Sequence, residues 1–259
     1  MFKANLSVVV LVLITFFAQT EAIFFNEFHE SESVDFLSQF ISIGSLVFDV
    51  GANVGKKAEL YIKCGAGHVV CFEPQIECIG RLKSLFGRRG YLVSIEQCGL
   101  GAIEKQETLY ICSQASTLST CHQNSLMSGR FFDHQYTWDR RTTIDIKTLD
   151  MMIGKYGIPA YCKIDVEGFE YEVLKGLSQQ IPCISFECNI ENFSTTIKCI
   201  DYLCQMGYRK FNFAPGERGW FLFSDWLSGE ELKQQIMEES KKDIWRECWG
   251  MWGDVYVSI

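Results

Sequence analysis

The sequence predicts an α/β protein built on a mostly parallel sheet with helices on both faces. Three observations carry that expectation. Residues 46–75, LVFDVGANVGKKAELYIKCGAGHVVCFEPQ, read as strand, glycine turn, helix, strand and acid, the outline of a Rossmann-like βαβ unit. Further apolar runs at 91–95, 161–166 and 183–187 alternate with amphipathic helical patterns, the arrangement that joins parallel strands by crossovers. Near the end, 210–213 and 220–223 flank Pro215-Gly216 with no helix between them, so the sheet should finish in an antiparallel hairpin. A chain of 259 residues, 47% apolar, suits one domain with a sizeable core.

Taken in order, residues 1–22 stand apart. A slightly basic Met1-Phe2-Lys3 precedes an apolar run at 6–18 and a small-residue exit, Gln19-Thr20-Glu21-Ala22. That pattern is a secretory signal peptide, or a signal anchor if uncleaved, because the run is short for a membrane-spanning helix. Residues 23–45 form a helical lead-in, with Glu30, Glu32 and Asp35 ahead of Phe36, Leu37, Phe40 and Ile41. Residues 46–214 form the main domain, and 215–259 the hairpin and an aromatic-rich helical tail.

Within the main domain, Ile76, Ile79, Leu82 and Phe86 give a helix over 76–88. The third strand, 91–95, ends at Gln97-Cys98-Gly99-Leu100-Gly101, which either borders a nucleotide base or simply turns the chain into 108–111. Periodicity fades from 113 to 141, a long loop holding Ser116, His122 and His134. Such loops often carry function, here a lid over a second substrate. A strand at 142–146 and a short helix at 149–156 follow. Beyond the fourth strand, Val166, Phe169, Val173, Leu177 and Ile181 form one helical stripe. The fifth strand ends at Glu187, and Ile197, Ile200, Leu203 and Cys204 give another helix. The tail reads as a charged helix over 230–246 and a last strand over 255–259. Its tryptophans, Trp220, Trp226, Trp245, Trp249 and Trp252, either pack on the sheet or line a groove.

The glycine loop narrows the ligand. Dinucleotide loops use G-x-G-x-x-G, whereas this chain has Gly51-x-x-x-Gly55 and lacks the middle glycine. A P-loop needs four residues between its glycines, then Lys-Ser or Lys-Thr; here Lys56-Lys57 follows three. The leading acid, Asp49, sits badly beside phosphate and well beside a cationic, phosphate-free nucleoside such as S-adenosylmethionine. Glu73 follows Gly51 by 22 positions, near the roughly 20-residue spacing at which an acid meets a ribose diol.

DVGANVG, then CFEP, then KIDVEGFEYEVLKGL at 163–177 and ISFE at 184–187 resemble the FkbM-type S-adenosylmethionine-dependent methyltransferases. The resemblance runs from about Val47 to Tyr208, and Lys57 and Ala58 depart from it, standing where the family often has an aromatic residue and a threonine. It implies a class I methyltransferase fold with a seven-stranded sheet, S-adenosylmethionine as cofactor, and O-methylation of a sugar, glycan or secondary-metabolite hydroxyl. On that reading Asp49, Gly51, Ala52, Asn53, Gly55, Glu73, Cys98, Gly99, Ser116 and Asp165 bind the cofactor. Glu167, His122, His134 and Glu187 are the candidates to take the acceptor's proton. A non-catalytic binding module and an NAD-dependent oxidoreductase are the alternatives.

Composition bounds the partners. A net charge of −8 and a pI near 5.1 argue against nucleic acid, since phosphate contacts need a basic face. The acceptor is therefore expected to be a small molecule or glycan. Contact with a membrane is expected only through an uncleaved leader, and the compartment is the secretory lumen or the exterior. The 12 cysteines show no C-x-x-C, so no metal site is expected. Cys71, Cys162 and Cys183 should be buried, and Cys112 and Cys121 are the pair most exposed to oxidation in a secretory compartment. Asn192-Phe193-Ser194 is a glycosylation acceptor sequence.

Overall fold

The computed structural model describes residues 31–89, 92–122, 136–216, 219–242 and 252–259. Ten strands are assigned among them: β1 (Leu46–Val50), β2 (His68–Phe72), β3 (Val93–Glu96), β4 (Gly99–Leu100), β5 (Lys105–Ile111), β6 (Arg140–Lys147), β7 (Tyr161–Ile164), β8 (Cys183–Asn189), β9 (Lys210–Pro215) and β10 (Trp252–Ser258). Seven of them form the central sheet in the order β3-β2-β1-β7-β8-β10-β9. The first five are mutually parallel, and β10 runs antiparallel to both β8 and β9. The mostly parallel sheet with an antiparallel end matches the expectation.

The inner strands are apolar on both faces because helices cover both. On one face lie helix α1 (31–37), α2 (Lys56–Lys63) and α3 (Ile76–Phe86), which bury Phe36, Tyr61, Leu82 and Phe86 against Val47, Val69 and Tyr161. On the other lie α4 (Leu149–Tyr156), α5 (Glu170–Lys175), α6 (Phe193–Gln205) and α7 (Gly229–Glu239). They bury Met152, Leu174, Ile200 and Ile236 against Phe48, Ile164 and Phe186. Helix α7 opens on a capping box in which Ser228 and Glu231 satisfy each other's backbone N–H groups.

The second antiparallel strand is not 220–223. That segment makes only a short return, with Leu222 N–H donating to Phe213 O, and the slot beside β9 is filled by β10. The physical reason is burial on two faces and bonding on two edges. β10 pairs along its whole length with β8, and it sends Val255 and Val257 into one core and Tyr256 into the other. Four residues at 220–223 offer neither. The stripe expected to be one helix from Val166 to Ile181 is also shorter, because Glu167 (φ 53) and Gly168 (φ 96) turn the chain before α5 begins.

Strands β4, β6 and β5 make a second, three-stranded sheet with its own small core of Leu109, Ile111, Ile144 and Ile146. It stands beside the carboxyl ends of β1 and β2. Every described cysteine, Cys112 and Cys121 included, is a free thiol. Among the described residues no helix is long and apolar enough to cross a membrane. The leader at 1–22, His134, Trp245 and Trp249 lie outside them.

Candidate active site

Strand order reverses between β1 and β7, and in open α/β sheets ligands bind outside the strand ends at such a point. The glycine loop sits there. Gly51 adopts φ +86, and the N–H groups of Gly51 and Ala52 both donate to Phe72 O. A Cβ on Gly51 would stand 1.8 Å from the backbone oxygen of Asp165, so glycine is needed for β1 and β7 to emerge side by side. Gly55 (φ +89) answers a different demand: its Cβ would collide with Leu82 and Phe86 of α3. Both glycines are thus fixed by the protein's own packing.

Glu73 ties the loop down. Its Oε2 accepts from Asn53 N–H at 2.8 Å and its Oε1 from Gln75 N–H at 2.7 Å. Asn53 Oδ1 in turn accepts from Ser116 Oγ at 3.0 Å, and Gln75 Nε2 donates to Ser116 O at 3.0 Å. Ser116 opens a single 3-10 turn, Ser116–Leu118, that closes over the βαβ unit. Burial pushes the Glu73 carboxyl up to about 7, against the pull of its two backbone donors.

Between these elements lies an open cleft of about 580 Å³. Gly51, Asn53, Glu73, Ser116, Asp165 and Glu167 supply its polar wall. Cys98 and Gly99 border it as well, and Leu109, Ile144 and Phe169 give it an apolar side. The structure therefore gathers eight of the expected residues around one space. Asp49, Ala52, Gly55, His122 and Glu187 do not line it.

Each of those five has a definite place. Ala52 is buried in the core on the α1–α3 face of the sheet, and Gly55 abuts Leu82 and Phe86 of α3. Asp49 is buried on the same face, opposite Lys163 in the β1–β7 register, and among the described residues its Oδ2 has no hydrogen-bond partner. Burial raises its carboxyl to about 7, with Lys163 opposing the rise. His122 donates its backbone N–H to Thr120 Oγ1 at 2.8 Å, and burial lowers the pKa of its ring. Glu187 belongs to a trio at the rim, where oxygens of Asp165, Glu167 and Glu187 lie within 4.8 Å of one another. An oxygen-only trio suits a cation, whether an ammonium group or a hard metal ion. Burial first, then Glu167 and Asp165, hold the Glu187 carboxyl well above its ordinary range.

The turn that delivers Glu167 rests on residues that sequence reasoning passed over. Glu170, buried at the start of α5, accepts from Val166 N–H at 3.1 Å and Gly168 N–H at 3.0 Å. Thr120 Oγ1 donates to Glu167 O at 2.8 Å. Glu170 was visible in the string EGFEYE, but nothing in its spacing distinguished it from a solvated helix acid. Lys163 and Asp254, an ion pair at 2.9 Å, come from strands 91 positions apart. No local signal could have joined them.

The chemistry of the lining decides what the cleft can hold. Its charged liners are Glu73, Asp165 and Glu167, and among the described residues no lysine, arginine or histidine lines it. A pyrophosphate would find only like charge there. A nucleoside with cationic sulfur and amino groups finds counter-charge, and Glu73 offers carboxylate oxygens to a ribose diol. The fold and this lining define a class I methyltransferase. The methyltransferase FkbM domain model matches residues 49–210, more than half of the chain, and the chain belongs to that family. Its cofactor is S-adenosylmethionine. No curated protein matches.

Among solved structures, the chain is similar to precorrin-6y C5,15-methyltransferase from Geobacter metallireducens. That pair shows 10% identity and a TM-score of 0.44, with 89% of each chain covered. It is also similar to an rRNA methylase from Streptococcus thermophilus, at 10% identity and a TM-score of 0.41, covering 87% of this chain and 93% of that one. A candidate methyltransferase from Streptococcus mutans in complex with SAH aligns at 9% identity and a TM-score of 0.41, covering 87% and 94%. At that distance these likenesses add nothing to the assignment, which rests on the family match and the topology.

Proposed function

We propose that this protein O-methylates a hydroxyl group of a small molecule or glycan, with Glu167 as the proton acceptor. The observation that carries this reading is the acid-lined cleft at the switch point, which no described lysine, arginine or histidine lines, with Glu167 on its rim. When bound, S-adenosylmethionine supplies a methyl group made electrophilic by an attached sulfonium. The protein's own residues do the rest. Glu73 binds the ribose hydroxyls and, through Asn53 and Gln75, sets the loop beneath them. Asp165 meets the cationic end. Cys98, Gly99 and the apolar wall of the small sheet enclose the base and keep water from it. Glu167 holds a carboxylate where an acceptor hydroxyl would give up its proton, a contribution typically worth about 10²–10⁴-fold. Alignment of the hydroxyl with the methyl group is the larger factor, on the order of 7–11 kcal/mol for well-oriented reactants.

The net charge of −8 supports a small or neutral acceptor over nucleic acid. The apolar run at 6–18 supports a lumenal or extracellular enzyme, and a mature N-terminus beginning near residue 23 in secreting cells is the outcome that agrees with it. Transfer of labelled methyl from S-adenosylmethionine to a panel of glycans and hydroxylated small molecules tests the activity, with Glu73→Ala as control. Tight cofactor binding with no transfer to any acceptor would instead mark a binding module.

A further inference from the structure

Lys163 lies on a strand buried from end to end and is itself 3% exposed. Its Nζ donates to Asp165 Oδ2 at 3.2 Å and to Asp254 Oδ1 at 2.9 Å. These two acids belong to different spaces. Asp165 lines the cofactor cleft. Asp254, on β10, lines a second, partly open cavity between α1, α2 and the sheet, walled by Phe36, Tyr61, Tyr161 and Tyr256 and reached by Lys163 itself. Asp254 does not border the cleft, and Asp165 does not border the second cavity. One buried ammonium is therefore shared by two carboxylates that line different spaces. Asp49 faces it from β1 and Glu187 adds negative charge from β8, while Lys57 of α2 is a second cation, beside Asp49 and on the second cavity, so four acids share two lysines here.

A buried cation divided between two anions neutralises neither fully. Were Asp254 to lose its charge, Lys163 would pair wholly with Asp165, and that carboxylate would have less to offer a cationic ligand in the cleft. We propose that Lys163 is a positioning residue for the cofactor, which by sharing its charge with Asp254 keeps Asp165 available at the cleft and makes cofactor affinity answer to the second cavity. The inference rests on the assignment of the cleft to S-adenosylmethionine with Asp165 at its cationic end.

Calorimetric titration of S-adenosylmethionine into the full chain tests it. Asp254→Asn keeps the side chain's shape and should weaken binding about tenfold, although Asp254 never borders the cleft. In a Lys163→Met background the same change should shift affinity by less than about twofold, because the link is already cut. If Lys163→Met does not fold, Asp165→Asn serves as the second background, and Asp254→Asn should again add nothing. A lysine with a structural role alone would lower the melting temperature in these variants without such non-additivity. An Asp254→Asn protein that binds like the wild type, or an equal loss in both backgrounds, overturns the proposal. A wild-type protein that binds no S-adenosylmethionine overturns the cleft assignment itself, which separates the two failures.

Discussion

Glu73 and Asp49 are held as acids of unusual weakness by the same burial that places them at the switch point, each pushed up to about 7. Their folded values exceed their unfolded ones, so between pH ~4.5 and ~7 the native state binds more protons than the unfolded state. Stability from this source is full below the unfolded pKa and is lost as pH rises through 7. The melting temperature of the cofactor-free protein should therefore fall from pH 5 to pH 8, and Glu73→Gln should flatten that slope. The same substitution should weaken cofactor binding by about 10–100-fold, as for a lost hydrogen bond to a charged group. Binding at pH 7 should also release protons, seen as a dependence of the calorimetric heat on buffer ionisation. Glu167→Gln should behave differently. A drop in kcat of about 10²–10⁴-fold with cofactor affinity changed by less than about threefold fits a proton acceptor. An equal loss in affinity would move Glu167 to cofactor binding.

The loop after β1 and the turn after β7 form one device, since neither can be built without the other. Gly51→Ala at φ +86 would set a Cβ 1.8 Å from Asp165 O. Backbone cannot yield cheaply there, so the variant should lose more than about 4 kcal/mol or fail to fold, as judged by denaturant titration. A milder test lies at α7, where Ser228→Ala removes one half of the capping box. It should cost about 1 kcal/mol and lower the melting temperature by about 2–4 °C. Catalysis should be untouched, because α7 packs against α6 and β9, away from the cleft.

Across the whole molecule, acidic charge and topology act together. The chain concentrates carboxylates where the parallel strands end, and the sheet's antiparallel end brings Asp254 to the same network. A ligand that fills such a cleft stabilises the fold by mass action. S-adenosylmethionine at a hundredfold excess over its dissociation constant should add about 2.7 kcal/mol, several degrees in melting temperature, while NAD at the same concentration should add none. A shift with NAD alone would reverse the choice made from the missing middle glycine and the acid lining.

By itself the sequence determined the βαβ unit, the alternation that builds a parallel sheet, and the family. Those are local patterns, in which a glycine spacing and a 3.6-residue period speak without distant partners. It also supplied Glu73, Asp165 and Glu167 at strand ends, because a strand's carboxyl end is recognisable from its apolar run. Tertiary structure alone decided which strand pairs with β9, since 220–223 and 252–258 are both apolar and only two-sided burial separates them. It likewise decided that Asp49 lies beneath the loop, that Glu170 holds the turn before α5, and that Lys163 divides its charge between Asp165 and Asp254. Each of those depends on groups brought together across the sheet, where electrostatics and packing act through space and no spacing along the chain records them.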